Sequence, residues 1–238
     1  MTELRQRMIR AMELKNLSHN TQRAYLAAVT GIAKFYNQSP DKMTQEKIED
    51  YLLYLKLDKG IAPNSCYGVL TGLRFFYKHV TEEEIPVTYS IRRTPRKLPE
   101  VLIMEDIWKI ICSAKNLKHR LILMTTYSAG LRASETINLK SENIDSKTML
   151  IKVEEGKGKK DRYTLLSKRL LDELRTYYRK YRPGMYLFPS SYQKKKKRPL
   201  SYETIRMIYE NSRKKAGVKK GAGIHTLRHH ADAPCLLT

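Results

Sequence analysis

The sequence predicts a predominantly α protein with a small β-sheet, an α+β chain in two parts. Three observations carry this. Four amphipathic helical patterns fill the first 80 residues, a proline- and arginine-rich stretch interrupts them near residue 91, and two strand-like runs around a Gly/Lys turn sit among helical patterns after it.

The first pattern runs from Leu4 to Lys15. The second follows Ser18, a residue type suited to capping, and reaches Tyr36 with Ala24, Tyr25, Ala28, Val29, Ile32, Phe35 and Tyr36 on one stripe. A third begins after Thr44 with Ile48, Tyr51, Leu52 and Leu55, and a fourth after Pro63 with Val69, Leu70, Leu73, Phe76, Tyr77 and Val80. Apolar stripes of this kind bury against one another, so residues 1–90 read as a helical bundle. In "SIRRTPRKLPEV" Pro95 and Pro99 block regular structure, while Arg92, Arg93, Arg96 and Lys97 leave little to bury. Residues 91–99 read as a basic linker that is either a solvated tether or a strap for a polyanion. Residues 100–238 then form the second part. Helical patterns cover 105–114, 120–128 and 133–139, strand-like runs 148–153 and 162–166, and further helical patterns 168–181 and 202–216.

Charge narrows the function. The chain of 238 residues has a net charge of +22, and residues 101–238 hold +17 of it. A bias of that size is the electrostatic footprint of a nucleic-acid partner, because each neutralised phosphate releases condensed counterions. No run approaches 18 apolar residues and the N-terminus is charged throughout, which argues against a membrane span or a signal peptide and for a soluble, cytoplasmic protein. Three cysteines, Cys66, Cys112 and Cys235, make neither a disulfide framework nor a metal-like spacing.

Four positions stand out. Arg132 in "SAGLRASE" follows Gly130 at a helix junction, where a turn can offer a guanidinium to an anion. Lys157 in "EEGKGKKDR" sits between Gly156 and Gly158 at the hairpin tip, and His225 and Arg228 in "HTLRH" share a helix face. Lys159, Lys160, Arg162 and the run Lys194, Lys195, Lys196, Lys197 and Arg198 add cations that could meet phosphates or simply be solvated. His225, His229, His230 and Cys235 could also ligate a metal, but no second ligand cluster accompanies them.

"AGLRASE", "GKGKKDR" and "HTLRH", in this order and preceded by "LSHNTQRAYLAAVTGIAKF", resemble the tyrosine recombinases, or phage integrases, over essentially the whole chain. The resemblance implies an N-terminal helical, SAM-like core-binding domain and a C-terminal catalytic domain of the DNA breaking–rejoining type. It implies double-stranded DNA as partner and Arg132, Lys157, His225 and Arg228 as catalytic residues. It also implies a 3′-phosphotyrosine intermediate, with no nucleotide cofactor, no metal and no small-molecule substrate. Complete relatives assemble as tetramers on two DNA sites. In the family a second His or Trp and the nucleophilic Tyr follow the His-x-x-Arg box by several helical segments. Here the last Tyr is Tyr209, ten residues follow Arg228, and Pro234 would break a helix. The expectation is therefore a catalytic domain incomplete at its C-terminus, binding DNA without covalent cleavage and with assembly in doubt. A non-catalytic DNA-binding module, competing at recombination sites, is the alternative.

Overall fold

The computed structural model describes residues 2–82, 102–154, 160–190 and 198–228. The linker cations Arg92, Arg93, Arg96 and Lys97, the hairpin-tip residues Lys157 and Lys159, the run Lys194–Lys197 and everything after Arg228 lie outside the described residues. The chain divides into two compact units, residues 1–97 and 98–238.

In the first unit, α1 (Glu3–Leu14), α2 (His19–Tyr36), α3 (Gln45–Leu57) and α4 (Pro63–Phe76) form a bundle, with a π-type turn at Tyr77–Thr81 continuing α4. The starts have local causes. Ser18 Oγ accepts from the Thr21 amide at 3.2 Å, Thr44 Oγ1 accepts from the Lys47 amide at 3.4 Å, and Pro63 opens α4 where its missing N–H is harmless. Met8, Met12, Ile32, Ile48, Leu70, Leu73, Phe76 and Val80 fill the core. The α2 stripe is narrower than its periodicity suggests. Ala24 is exposed, and Phe35 is 43% exposed, its ring resting on Tyr51 and Tyr54 of α3 at centroid distances of 5.3 and 4.4 Å. Periodicity assigns a face, but only a neighbouring element can cover it.

The second unit holds α5 (Met104–Ser113), α6 (Leu117–Ser128), α7 (Ala133–Asn138), β1 (Ile144–Asp145), β2 (Leu150–Val153), β3 (Arg162–Leu165), α8 (Lys168–Tyr181), α9 (Tyr202–Lys215) and α10 (His225–Arg228). α6 is the hub. Every residue from Leu121 to Tyr127 is buried, and α5, α7, α8, α9 and α10 all pack on it. It begins at Leu117, ahead of the expected 120, because Asn116 Oδ1 accepts from the amides of Lys118 and His119 at 2.9 and 3.3 Å. The cap, not the start of the apolar run, sets the boundary.

The described strands form one antiparallel sheet in the order β1-β2-β3. β2 and β3 are the expected hairpin arms, paired with Ile151 opposite Thr164 and Val153 opposite Arg162. β1, two residues long, is too short to leave a periodic signal in the sequence.

Candidate functional site

The site is built around the exit of α6. The Gly130 amide donates to Tyr127 O at 3.2 Å and the Leu131 amide to Thr126 O at 3.1 Å, the paired bonds of a Schellman C-cap. That geometry requires a left-handed residue, and Gly130 has φ +58°. Leu131, fully buried, then pins the chain. Arg132 follows in extended conformation as the residue before α7. Its position is therefore set by a glycine turn and a buried leucine on its N-terminal side.

Glu135 fixes it from the other side. One carboxylate oxygen accepts from the Arg132 backbone amide at 2.8 Å and the other from Arg132 Nη1 at 2.8 Å. Arg162 Nη2, from β3, donates to the same carboxylate at 2.9 Å. Only 5% of the Glu135 side chain is exposed. Two guanidiniums thus share one buried carboxylate, and the group keeps a net positive charge. Sequence reasoning gave Glu135 no role. The available signal was its place three residues after Arg132, in the first turn of α7, where an acid can bond back to the cap amide.

α10 carries His225 and Arg228 and packs on α6, as α7 does. Ile224 and Leu227, both buried, anchor it. The approach is shaped by Gly221, whose φ of +81° suits glycine and whose Cα leaves room for the Tyr209 hydroxyl. That hydroxyl donates to Gly221 O at 2.7 Å. His225 is exposed, Arg228 half-buried. Tyr202, at the start of α9, brings its hydroxyl within 3.5 Å of His225 Nε2, the outer limit of a hydrogen bond, and is a second residue that sequence reasoning passed over. Arg132, His225 and Arg228 therefore stand on elements that share α6.

Among the remaining cations, Lys160 and Arg198 are exposed. The Arg198 carbonyl accepts from the Ser190 amide at 2.9 Å, and the Lys118 ammonium donates to Pro189 O, so the base of this loop is tied to α6. Burial pushes the Lys118 ammonium below its usual range. At the neck of the hairpin Lys152 reaches both Glu154 and Asp161 at 3.4 Å, and Lys140 reaches Glu154 at 2.9 Å. No cluster of three or more metal-ligating side chains occurs among the described residues. No helix among them is long and apolar enough to cross a membrane.

The phage integrase family matches residues 101–233, and the phage integrase N-terminal SAM-like domain matches residues 4–87. The chain is 38% identical over 231 residues to a putative integrase/recombinase, y4qK, of Sinorhizobium fredii, covering 96% of this chain and 74% of the relative. It is 31% identical over 219 residues to the tyrosine recombinase XerA of Pyrococcus horikoshii, covering 92% and 74%. Among solved structures, a XerA recombinase matches with TM-score 0.51 at 26% identity over 96% of this chain and 82% of that one. A lambda integrase dimer bound to a COC′ core site matches with TM-score 0.74 at 17% identity, over 96% and 86%, a likeness of fold.

Proposed function

Since this chain belongs to the phage integrase family of tyrosine recombinases, we propose that it acts on duplex DNA at a recombination site, in the cytoplasm, with its second unit gripping a backbone phosphate. The observation that carries the reading is the common support of Arg132 and the His225–Arg228 helix by α6, which gives both arginines a fixed base.

In this reading the guanidiniums of Arg132 and Arg228 hold the non-bridging oxygens of the scissile phosphate. Both are permanently charged, forked donors, and loss of one donor aimed at developing charge costs about 2.7–4 kcal/mol of barrier. A tyrosine oxygen bonds to phosphorus as the P–O5′ bond breaks; His225 takes the tyrosine proton and Lys157 gives one to the departing 5′-oxygen. The ester energy stays in the phosphotyrosine link, so no nucleotide cofactor is consumed. None of the ten residues that follow Arg228 in the sequence is a tyrosine, and the attacking hydroxyl is assigned to no residue here. Two internal tyrosines are unsuited to it: Tyr209 is buried and bonded to Gly221 O, and burial pushes Tyr177 up to about 12. The linker cations, Lys159, Lys160, Lys194–Lys197 and Arg198 extend the phosphate contacts away from the centre.

The test is fluorescence anisotropy with a 30-bp random-sequence duplex over a series of salt concentrations. Affinity falls steeply with salt, by a slope of about −0.9 per phosphate contacted, and EDTA leaves it unchanged. Arg132→Gln and Arg228→Gln each flatten the slope by about one. A slope near zero, or one indifferent to both substitutions, would remove the reading.

A further inference from the structure

β3 presents two faces. Tyr163 and Leu165 point outward, 66% and 67% exposed, while Arg162 and Thr164 turn toward the α6–α7 junction. Thr164 Oγ1 donates to Ala129 O at 2.9 Å, which holds the strand against the turn that leads into Arg132. Two residues earlier, Arg162 extends Nη2 to Glu135 at 2.9 Å. Its other terminal nitrogen, Nη1, is buried and has no hydrogen-bond partner among the described residues. A third of the Arg162 side chain is exposed, but one terminal nitrogen is taken by Glu135 and the other is buried, so the fork that would meet a phosphate from solvent is turned inward. Yet in the sequence it stands with Lys159 and Lys160, as one more cation for DNA.

We propose that Arg162 is a positioning residue for Arg132, acting through Glu135, and not a phosphate contact of its own. The proposal rests on the reading of Arg132 as a phosphate-binding residue. Glu135 is needed to align Arg132, because it takes both the backbone amide and Nη1. Left alone with Arg132, however, a carboxylate this deeply buried would cancel the arginine's charge, and an incoming phosphate would have to compete with it. Arg162 shares the carboxylate and divides its charge. Arg132 is then held in one orientation while the three-group cluster stays cationic. The register of the sheet makes this possible: Val153 opposite Arg162 sets β3 so that Arg162 falls on the inner face, and a slip of one residue would turn it outward.

The experiment is a mutant cycle on the full chain, read by anisotropy with the same random-sequence duplex at low salt and by the side-chain Nε–H resonance of Arg132 in ¹⁵N NMR. Arg162→Gln weakens duplex binding at least fivefold in the native background and less than twofold in Glu135→Gln, where there is no carboxylate charge left to divide. Equal losses in both backgrounds, each with a salt slope flattened by about one, would show Arg162 to be a direct phosphate contact and overturn the proposal. So would a native-background loss below twofold. Arg162→Lys keeps the charge and retains affinity to within about twofold; a loss as large as that of Gln counts against charge division, and this variant stands in should Arg162→Gln fail to fold. The NMR arm needs no DNA: the Arg132 resonance shifts on Arg162→Gln and not when that change is added to Glu135→Gln. If Arg132→Gln leaves binding untouched, the phosphate-site reading fails, while the NMR arm still decides whether Arg162 acts on Arg132.

Discussion

Two strings of cations and carboxylates flank the same β-hairpin, and they differ in depth. On the inner face, Arg132 and Arg162 meet Glu135, whose side chain is 5% exposed. At the neck, Lys140, Glu154, Lys152 and Asp161 form a ladder with side-chain exposures of 24%, 32%, 39% and 51%. Glu135 of the inner string and all four members of the ladder line one cavity of about 610 Å³. The pairing chemistry is the same, but water decides what each pairing does. Breaking a buried pair strands a charge with no solvent to receive it, whereas an exposed pair trades one hydrated ion for another. The inner string therefore fixes a geometry, and the outer one adjusts to conditions.

The largest expected effect follows from removing the shared carboxylate. Glu135→Ala leaves two guanidiniums facing each other without a counter-charge, and unfolding in urea should show a loss of about 3 kcal/mol. This is the low end for a broken buried pair, because each arginine keeps roughly a third of its side chain in water. A loss as small as that caused by Lys152→Ala would erase the distinction between the two strings.

The next effect tests the support beneath the inner string. Thr164→Val keeps the shape and β-branching of the side chain but removes the hydrogen bond to Ala129 O, at a cost of about 1 kcal/mol. If β3 is what delivers Arg162 to Glu135, hydrogen exchange at the Arg132 amide should quicken in this variant while the core of α6 stays protected. Unchanged exchange at Arg132 would mean that Glu135 orders the junction without the strand.

How much of this was legible in the sequence depends on how far apart the partners lie. Ser18 announces α2, the Gly/Lys turn announces the β2–β3 hairpin, and the apolar spacing of residues 168–181 matches α8. Each is a local signal. Arg132 and Glu135 are three residues apart and could have been paired, but Arg162 lies 27 residues beyond Glu135 and Tyr202 lies 23 before His225. No periodicity encodes those meetings. The sequence presents Arg162 as one cation beside Lys159 and Lys160, and only the register of β3 turns it toward Glu135. Phe35 differs for the complementary reason: its stripe is correct, but α3 covers its ring only in part and leaves it 43% exposed.

The smallest expected effect belongs to the ladder and appears through pH. Hydrogen bonds from Lys140, opposed by partial burial, hold the Glu154 carboxyl below the usual carboxylate range. Bonds to Glu154 raise the Lys140 ammonium, and bonds to Asp161 and Glu154 raise that of Lys152. The signs oppose each other. A depressed Glu154 contributes stability that is complete above its ordinary value of 4.5 and is lost as pH falls through the lower folded value. The raised lysines contribute stability that is complete below their ordinary value of 10.5 and is lost as pH rises through the higher folded value. Between those limits the ladder is silent to pH. The check is to compare the melting temperatures of the native chain and Lys152→Ala at pH 7 and pH 3, each at low and at 1 M salt. The two should differ slightly at pH 7 in low salt and converge in 1 M salt, where screening removes the attraction. The low-salt difference should shrink toward pH 3, the direction in which Glu154 gains its proton and one of the two carboxylate charges facing Lys152 is lost. A difference that persists at 1 M salt would place the ladder beside Glu135 as a fixed element of the hairpin, and the contrast between the two strings would no longer rest on exposure.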